Sequence, residues 1–253
     1  MAASPLYTKT PLSYSDRSYR RVENSGLVSS IVKIAETDVH ILAPIQVEDQ
    51  ALQLIGRVRS RIERYIREHP VFQESLVPLP MDENAPEVIR RMLAAGLQAG
   101  VGPMAAVAGV IAAVIGRGLQ DLGIGEVIVE NGGDLYVARK KSCTVAVYAG
   151  ESPLSGKLGI SLLSSQMPCG VCCSSGTIGH SLSLGEADAV VVVARSTPLA
   201  DAAATRLANE VDRGNKSIKR ALQTASEIND LSGVVVISGD KLGAWGKIEL
   251  VRL

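Results

Sequence analysis

Val129-Glu130-Asn131-Gly132-Gly133-Asp134-Leu135-Tyr136-Val137 places two short apolar runs on either side of an Asn-Gly-Gly-Asp turn. Asn-Gly between such runs is a strong short-range hairpin signal. A strand over Gly125–Val129 and another over Leu135–Arg139 are therefore expected to be antiparallel neighbours. The same pairing recurs outward in both directions. Val28–Leu42 is β-branched and alternating, and reads as two strands with a turn near Glu36. Cys143–Ala149 and Gly156–Leu163 follow as strands, and Ala187–Ala194 (ADAVVVVA) as a buried one. Val234–Ile237 and Leu242–Val251 close the chain as a hairpin around Ser238-Gly239-Asp240-Lys241. Strands in neighbouring pairs, without strict βαβ alternation, predict an α+β fold with a largely antiparallel sheet.

Helices fill the intervals. Leu52, Ile55, Ile62 and Ile66 repeat at helical spacing from Glu48 to His69, and Pro70 stops the run. Its arginines (57, 59, 61, 64 and 67) read as a solvated face, with Glu63–Arg67 as an i,i+4 pair, or as a phosphate-binding face. Pro86 fits the first position of a helix reaching Ala99. Gly102-Pro103 opens an apolar helix to about Leu122, whose small residues (Ala106, Gly109, Ala113) predict close packing against a sheet. Ala99–Gly116 carries no charge, but Gly100, Gly102 and Pro103 interrupt it and the remainder is too short to span a bilayer, so a buried core helix is expected. Ser196-Thr197-Pro198 opens a helix to about Val211, with Thr197 as N-cap, and Ser217–Ile228 is the last. Gly170–Ser183, small and polar, reads as an ordered loop.

Composition narrows the function. Lys+Arg and Asp+Glu are both 26, so the 253-residue chain has zero formal charge. This excludes nucleic-acid binding through bulk charge and a polybasic membrane anchor. Aromatic residues are only 3%, so stacking platforms are scarce and Val, Ile, Leu and Ala build the core. No composition shift marks a linker: one domain over 26–253 is expected, preceded by a flexible segment over 1–25. That segment lacks an apolar secretory core, which predicts a cytoplasmic protein with no membrane partner. A homo-oligomer is left open.

Four groups of residues could carry chemistry. Asn131, Gly132, Gly133 and Asp134 form either a hairpin turn or an anion-binding nest beside a hydrogen-bonding carboxylate. Ser174, Ser175, Gly176 and Thr177 lead to His180 in a hydroxyl-rich, glycine-bearing loop suited to phosphate, with His180 as an acid/base or a structural residue. Asp201 and Thr205, four apart on one helix, offer hard oxygens to Mg²⁺, though an aspartate near a helix N-terminus is also ordinary. Cys169, Cys172 and Cys173 contain a C-x-x-C pair, which is a thiol redox or metal element or a set of buried free thiols.

Together, AGVGPMAAVAG (99–109), VENGGDLYV (129–137), SSGTIGHSLSLGEADAVVVVA (174–194) and TDVHILA (37–43) resemble an uncharacterised prokaryotic family. That family is distantly similar to the ApbE flavin transferases, which move FMN from FAD onto a Thr or Ser of a target protein using Mg²⁺. Gly132-Gly133-Asp134 resembles the ApbE GGD, and Ser174-Ser175-Gly176 with His180 its Ser-x-Gly and histidine. Ala200-Asp201-Ala202 with Thr205 resembles its ADA-x-x-T metal motif. Gly102–Ala106 stands where ApbE has a Gly-rich segment opening a helix and lending a carbonyl to the metal.

The resemblance implies an ApbE-like fold and a Mg²⁺-dependent pocket for FAD or a related dinucleotide, with transfer to an acceptor protein. Asp201 and Thr205 would hold the metal. Gly102, Asn131, Gly132, Gly133, Ser174, Ser175, Gly176 and Thr177 would bind the cofactor, and His180 and Asp134 would act on the acceptor hydroxyl. The chain departs from ApbE where Ser181-Leu182 replaces an Asp-Pro step after the histidine, and in a helix after Pro103 without the ApbE lysine and aspartate. It also lacks the lipoprotein or secretory start common in ApbE. The missing acidic residue after His180 favours, as an alternative, a non-catalytic flavin- or anion-binding module; a thiol-based redox or metal role for Cys169, Cys172 and Cys173 is a third reading.

Overall fold

The computed structural model describes residues 26–175, 185–212 and 215–253. Its centre is an eight-stranded sheet in the order β1-β2-β3-β4-β7-β8-β9-β10, antiparallel throughout. The strands are β1 (Val28–Ile34), β2 (Thr37–Ala43), β3 (Val127–Asn131), β4 (Asp134–Ala138), β7 (Cys169–Ser174), β8 (Ala189–Ala194), β9 (Leu231–Ser238) and β10 (Lys241–Gly246). A second, three-stranded sheet joins β5 (Cys143–Ala146), β6 (Leu158–Leu162) and β11 (Glu249–Arg252) in the order β11-β6-β5. The helices are α1 (Glu48–Glu68), α2 (Val71–Glu74), α3 (Glu87–Ala99), α4 (Val107–Asp121), α5 (Thr197–Ala208) and α6 (Asn215–Glu227).

Side-chain alternation divides the core into two. On one face Val39, Ile41, Val129, Tyr136, Val190, Val192, Val234 and Val236 pack against the helices. On the other, Val137, Val171, Val191, Val193, Val235 and Ile237 pack against Ile160 and Leu162 of the small sheet. Covering on both faces explains why β8 reads as an unbroken apolar run in an antiparallel sheet, where one wet face normally produces alternation.

The apolar stretch beginning at Pro103 is long and apolar enough to cross a membrane by composition. Here it enters through a 3₁₀ turn, Pro103–Ala106, and α4 then packs on β3 and β4 with α1 and α5 beside it. Glycines set that closeness. A Cβ on Gly116 would stand 2.1 Å from the Tyr136 ring, and one on Gly109 would stand 2.8 Å from the Asp201 Cβ.

Several expectations are corrected. Gly170–Ser174, read as part of a loop, belongs to the inner strand Cys169–Ser174, paired to both β4 and β8. The N-cap of α5 is Ser196, whose hydroxyl accepts from the Leu199 N–H (3.4 Å); Thr197 is the first helical residue. That helix stops at Ala208 rather than at Val211. Glu63 pairs with Arg59 at 2.8 Å, one turn back, because Arg59 is held between Glu63, Glu36 and the Thr37 hydroxyl. The last hairpin is interrupted at Gly246 (φ 89°), and β11 leaves for the small sheet.

Candidate functional site

The Asn131–Asp134 segment is a two-residue hairpin turn. Asn131 and Asp134 are opposed, and Gly132 (φ 69°) and Gly133 (φ 104°) both occupy the left-handed side that such a turn demands. The Gly133 N–H donates to Glu130 Oε1 at 2.8 Å. The turn delivers Asp134 to the helix side of β4, where it is buried. Cys172 is its cross-strand neighbour on β7. The Cys172 thiol donates to the Thr197 carbonyl oxygen at 3.5 Å and lies beside the Asp134 carboxyl.

Asp201 reaches the same place from α5. Its carboxylate does not serve its own helix N-terminus. Oδ2 accepts the Gly109 N–H of α4 at 2.7 Å, so Asp201 caps the start of a different helix. Asn131 Nδ2 donates to the Ala108 carbonyl (3.1 Å) and ties the turn to that same helix start. The approach of α4 to α5 depends on Gly109, since any side chain there would strike Asp201 and the Thr197 carbonyl.

The electrostatics of this pair are unusual. Burial raises the Asp201 carboxyl to about 7, against the lowering effect of the Gly109 and Ala108 amides. Burial also lifts Asp134 well above the ordinary range, and the nearby Asp201 charge adds to the rise. Among the described residues no arginine or lysine pairs with either carboxyl. Asp134 Oδ1, Thr205 Oγ1, Thr197 Oγ1 and Ser174 Oγ are buried and lack a hydrogen-bond partner among the described residues. Buried polar atoms are nearly always paired, so these oxygens are candidates to bond a ligand, an ordered water or another segment of the chain.

This donor set fits a hard divalent cation. Asp201 and Thr205 supply a carboxylate and a hydroxyl one turn apart, and the Asp134 oxygen is open. Among the described residues no three His, Cys, Asp or Glu side chains form a ready-made metal cluster. Mg²⁺ needs none, because it keeps waters and takes substrate phosphates as its remaining ligands.

A family model described as "AbpE bacteria" matches residues 20–240. The chain belongs to that AbpE family. Its relatives include a UPF0280 protein of Methanosarcina acetivorans, 40% identical over 226 residues, covering 89% of this chain and 87% of the relative. A UPF0280 protein of Methanocaldococcus jannaschii is 43% identical over 209 residues, covering 80% and 84%. Among solved structures, apo flavinyl transferase ApbE of Pseudomonas stutzeri matches with a TM-score of 0.57 at 14% identity, over 87% of this chain and 93% of that one. This likeness shows that the AbpE-family chain has an ApbE-like α+β fold.

Within this AbpE-family fold, Asp201 and Asn131 bond the α4 start, the Asp134 carboxyl lies near Asp201, and Thr205 stands one turn along α5 from Asp201. Ser174 ends β7 and is buried. Gly102 is held elsewhere: a Cβ on it would lie 1.8 Å from the Ser75 carbonyl, and its N–H donates to the Leu76 carbonyl at 3.0 Å. Its glycine is required by that backbone crossing. Gly176, Thr177 and His180 lie outside the described residues. Sequence reasoning missed Cys172 as the neighbour of Asp134, and Gly109 as the partner of Asp201. The only signal for Gly109 was the run of small residues in α4.

The three cysteines do not form a redox pair in this arrangement. Cys169 and Cys172 are three apart on one strand and face opposite cores. Burial pushes the Cys169 and Cys173 thiols up to about 12, and Cys172 is raised well above its ordinary value. Neutral thiols of this kind are poor nucleophiles and poor metal ligands.

Proposed function

We propose that this chain is a Mg²⁺-dependent protein that binds FAD or a related dinucleotide, with flavin-transferase-like chemistry toward an acceptor protein. One observation carries the reading. Two buried carboxyls, Asp134 and Asp201, lie close enough to interact electrostatically, and among the described residues they have no basic partner and Asp134 Oδ1 and Thr205 Oγ1 have no hydrogen-bond partner. The ApbE-like fold supports it, as does the solved neighbour being a flavinyl transferase.

In this reading Asp201 and Thr205 hold the metal, which would neutralise charge on a pyrophosphate as the leaving phosphate departs. Asp201 is fixed by the Gly109 amide, so its carboxylate is oriented before ligand arrives. Burial and the nearby Asp201 charge raise Asp134 and favour its protonated form, which suits it to donate a hydrogen bond or to exchange a proton with an acceptor hydroxyl. Ser174, with Ser175, Gly176, Thr177 and His180 of the adjoining segment, would contact the phosphates and the acceptor.

The test is FAD titration of the purified chain, with Mg²⁺ and with chelator, followed by assay for AMP. Mg²⁺-dependent binding with AMP release is the expected result. Failure of FAD to bind at high micromolar concentration would overturn the reading. Ser181-Leu182 after His180, where ApbE has an Asp-Pro step, favours a second reading, a flavin- or anion-binding module without turnover. Binding without AMP release in the presence of a competent acceptor would select it.

A further inference from the structure

The opposite face of the sheet carries a separate set of groups. Val39 and Ile41 of β2 and Val129 of β3 face the helices, so His40 and Glu130 face the other way. Ser30 is turned to the helix side, where its hydroxyl accepts the Val47 N–H (3.2 Å), so Ser29 shares the face of His40. Three adjacent strands thus bring Ser29, His40 and Glu130 together. Ser29 Oγ lies 2.7 Å from His40 Nε2. His40 and Glu130 are cross-strand partners, which sets their Cβ atoms ~5 Å apart. His40 and Glu130 are buried, while Ser29 is exposed on β1, the outermost strand.

We infer that Ser29 is an activated nucleophile, with His40 as its base and Glu130 as the residue positioning His40, and that it accepts acyl groups from activated esters or thioesters. The inference is independent of the flavin reading. A serine is a weak nucleophile until a neighbouring base removes its proton, and the diagnostic arrangement is hydroxyl, imidazole and orienting acid in sequence. With the ring proton on Nδ1, the Ser29 hydroxyl donates to Nε2. As Ser29 Oγ bonds to the carbonyl carbon, its proton passes to His40 Nε2. The bond to the alkoxide or thiolate leaving group breaks, and that group takes the proton from His40. Water then attacks the acyl-Ser29 carbonyl, giving its proton to His40, which returns one to Ser29 Oγ as the carboxylic acid departs. Among the described residues β1 is the outermost strand of the sheet, and its outward backbone N–H groups can meet the carbonyl oxygen of the substrate.

The experiment is labelling of the intact chain with a fluorophosphonate reporter, mapped by peptide mass, together with p-nitrophenyl acetate turnover. The native chain should label at Ser29 at least ~100-fold faster than the same chain in urea, the usual range for base assistance. Ser29→Ala should remove that label and the turnover and leave FAD titration unchanged. His40→Gln should slow labelling ~100-fold. Glu130→Gln keeps an acceptor for the Gly133 N–H and removes the charge; it should slow labelling, and Glu130→Asp should restore part of the rate. Labelling of Ser29 no faster in the native chain than in urea overturns the inference. So does a folded His40→Gln chain that labels at the wild-type rate. If His40→Gln does not fold, the comparison of native with urea-treated wild-type chain decides.

Discussion

Asp201 illustrates how one residue can be read for both stability and function. Its carboxyl is raised to about 7 in the fold, while an unfolded aspartate titrates near ~3.9. Between these values the native state holds a proton that the unfolded state has released. Stability is therefore full below about pH 4 and is lost as pH rises toward and through 7. Thermal melts in chelator should show the melting temperature falling from pH 5 to pH 8, and Asp201→Asn should flatten that fall. At pH 8 the variant should melt higher than wild type by roughly 5 °C, since ~1 kcal/mol moves a chain of this size by ~2–4 °C. A steeper fall in the variant would mean that Asp201 is not the group responsible. Thr205 offers the complementary test. Its Oγ1 is buried and has no hydrogen-bond partner among the described residues, so Thr205→Val should be neutral to slightly stabilising, within about 1 kcal/mol. In the proposed function the same change removes a metal ligand, and Mg²⁺-dependent FAD binding should weaken at least ~10-fold, the effect of losing about 1.4 kcal/mol. Unchanged binding with unchanged stability would show that the hydroxyl serves neither role.

At the scale of elements, close approach outweighs intrinsic propensity. Gly116→Ala adds a better helix former and on an isolated helix would gain ~1 kcal/mol. In α4 the new methyl would stand 2.1 Å from the Tyr136 ring. Tyr136 is buried and its hydroxyl donates to Gln120 at 2.6 Å, so it cannot step aside freely. Net destabilisation of ~1–3 kcal/mol is expected in urea unfolding, because overpacking dominates. Gly170→Ala should behave likewise, since its Cβ would lie 2.5 Å from the Thr197 Cα. The same logic separates what could be read in the sequence from what could not. The Asn131–Asp134 hairpin, the β1–β2 pair and the buried α4 follow from local signals: turn residues, alternation and an uninterrupted apolar run. Strand β7 does not. Its Cys-Gly-Val-Cys-Cys-Ser composition is small because α5 presses on it at Thr197, and small residues imitate a loop when that partner is unseen. For the site, Asp134, Asp201 and Thr205 stood out by residue type. The attachment of Asp201 to the α4 start rests on Gly109, 92 residues away in sequence.

For the whole molecule, the large sheet is a partition between two cores, and each has its own contribution to stability. Ile115 belongs to the helix-side core and Ile160 to the core under the small sheet; both are fully buried. Ile115→Val and Ile160→Val should each cost ~0.5–1.5 kcal/mol. On edge strand β1, Ile31 is 61% exposed, so Ile31→Val should lie within ~0.5 kcal/mol of wild type. The decisive measurement is the Ile115→Val/Ile160→Val double variant, unfolded in urea beside the two single ones. The two side chains share no cluster, and a hydrogen-bonded layer lies between them. Their effects should therefore add to within ~0.5 kcal/mol. A larger departure would show that the sheet passes strain from one face to the other. The Asp134–Asp201 pair on one face and the Ser29–His40 pair on the other would then be linked through β2, β3 and β4, and substitutions at one would shift ligand binding at the other. Additivity would instead make the two faces independent, so that each chemistry can be removed without disturbing its neighbour.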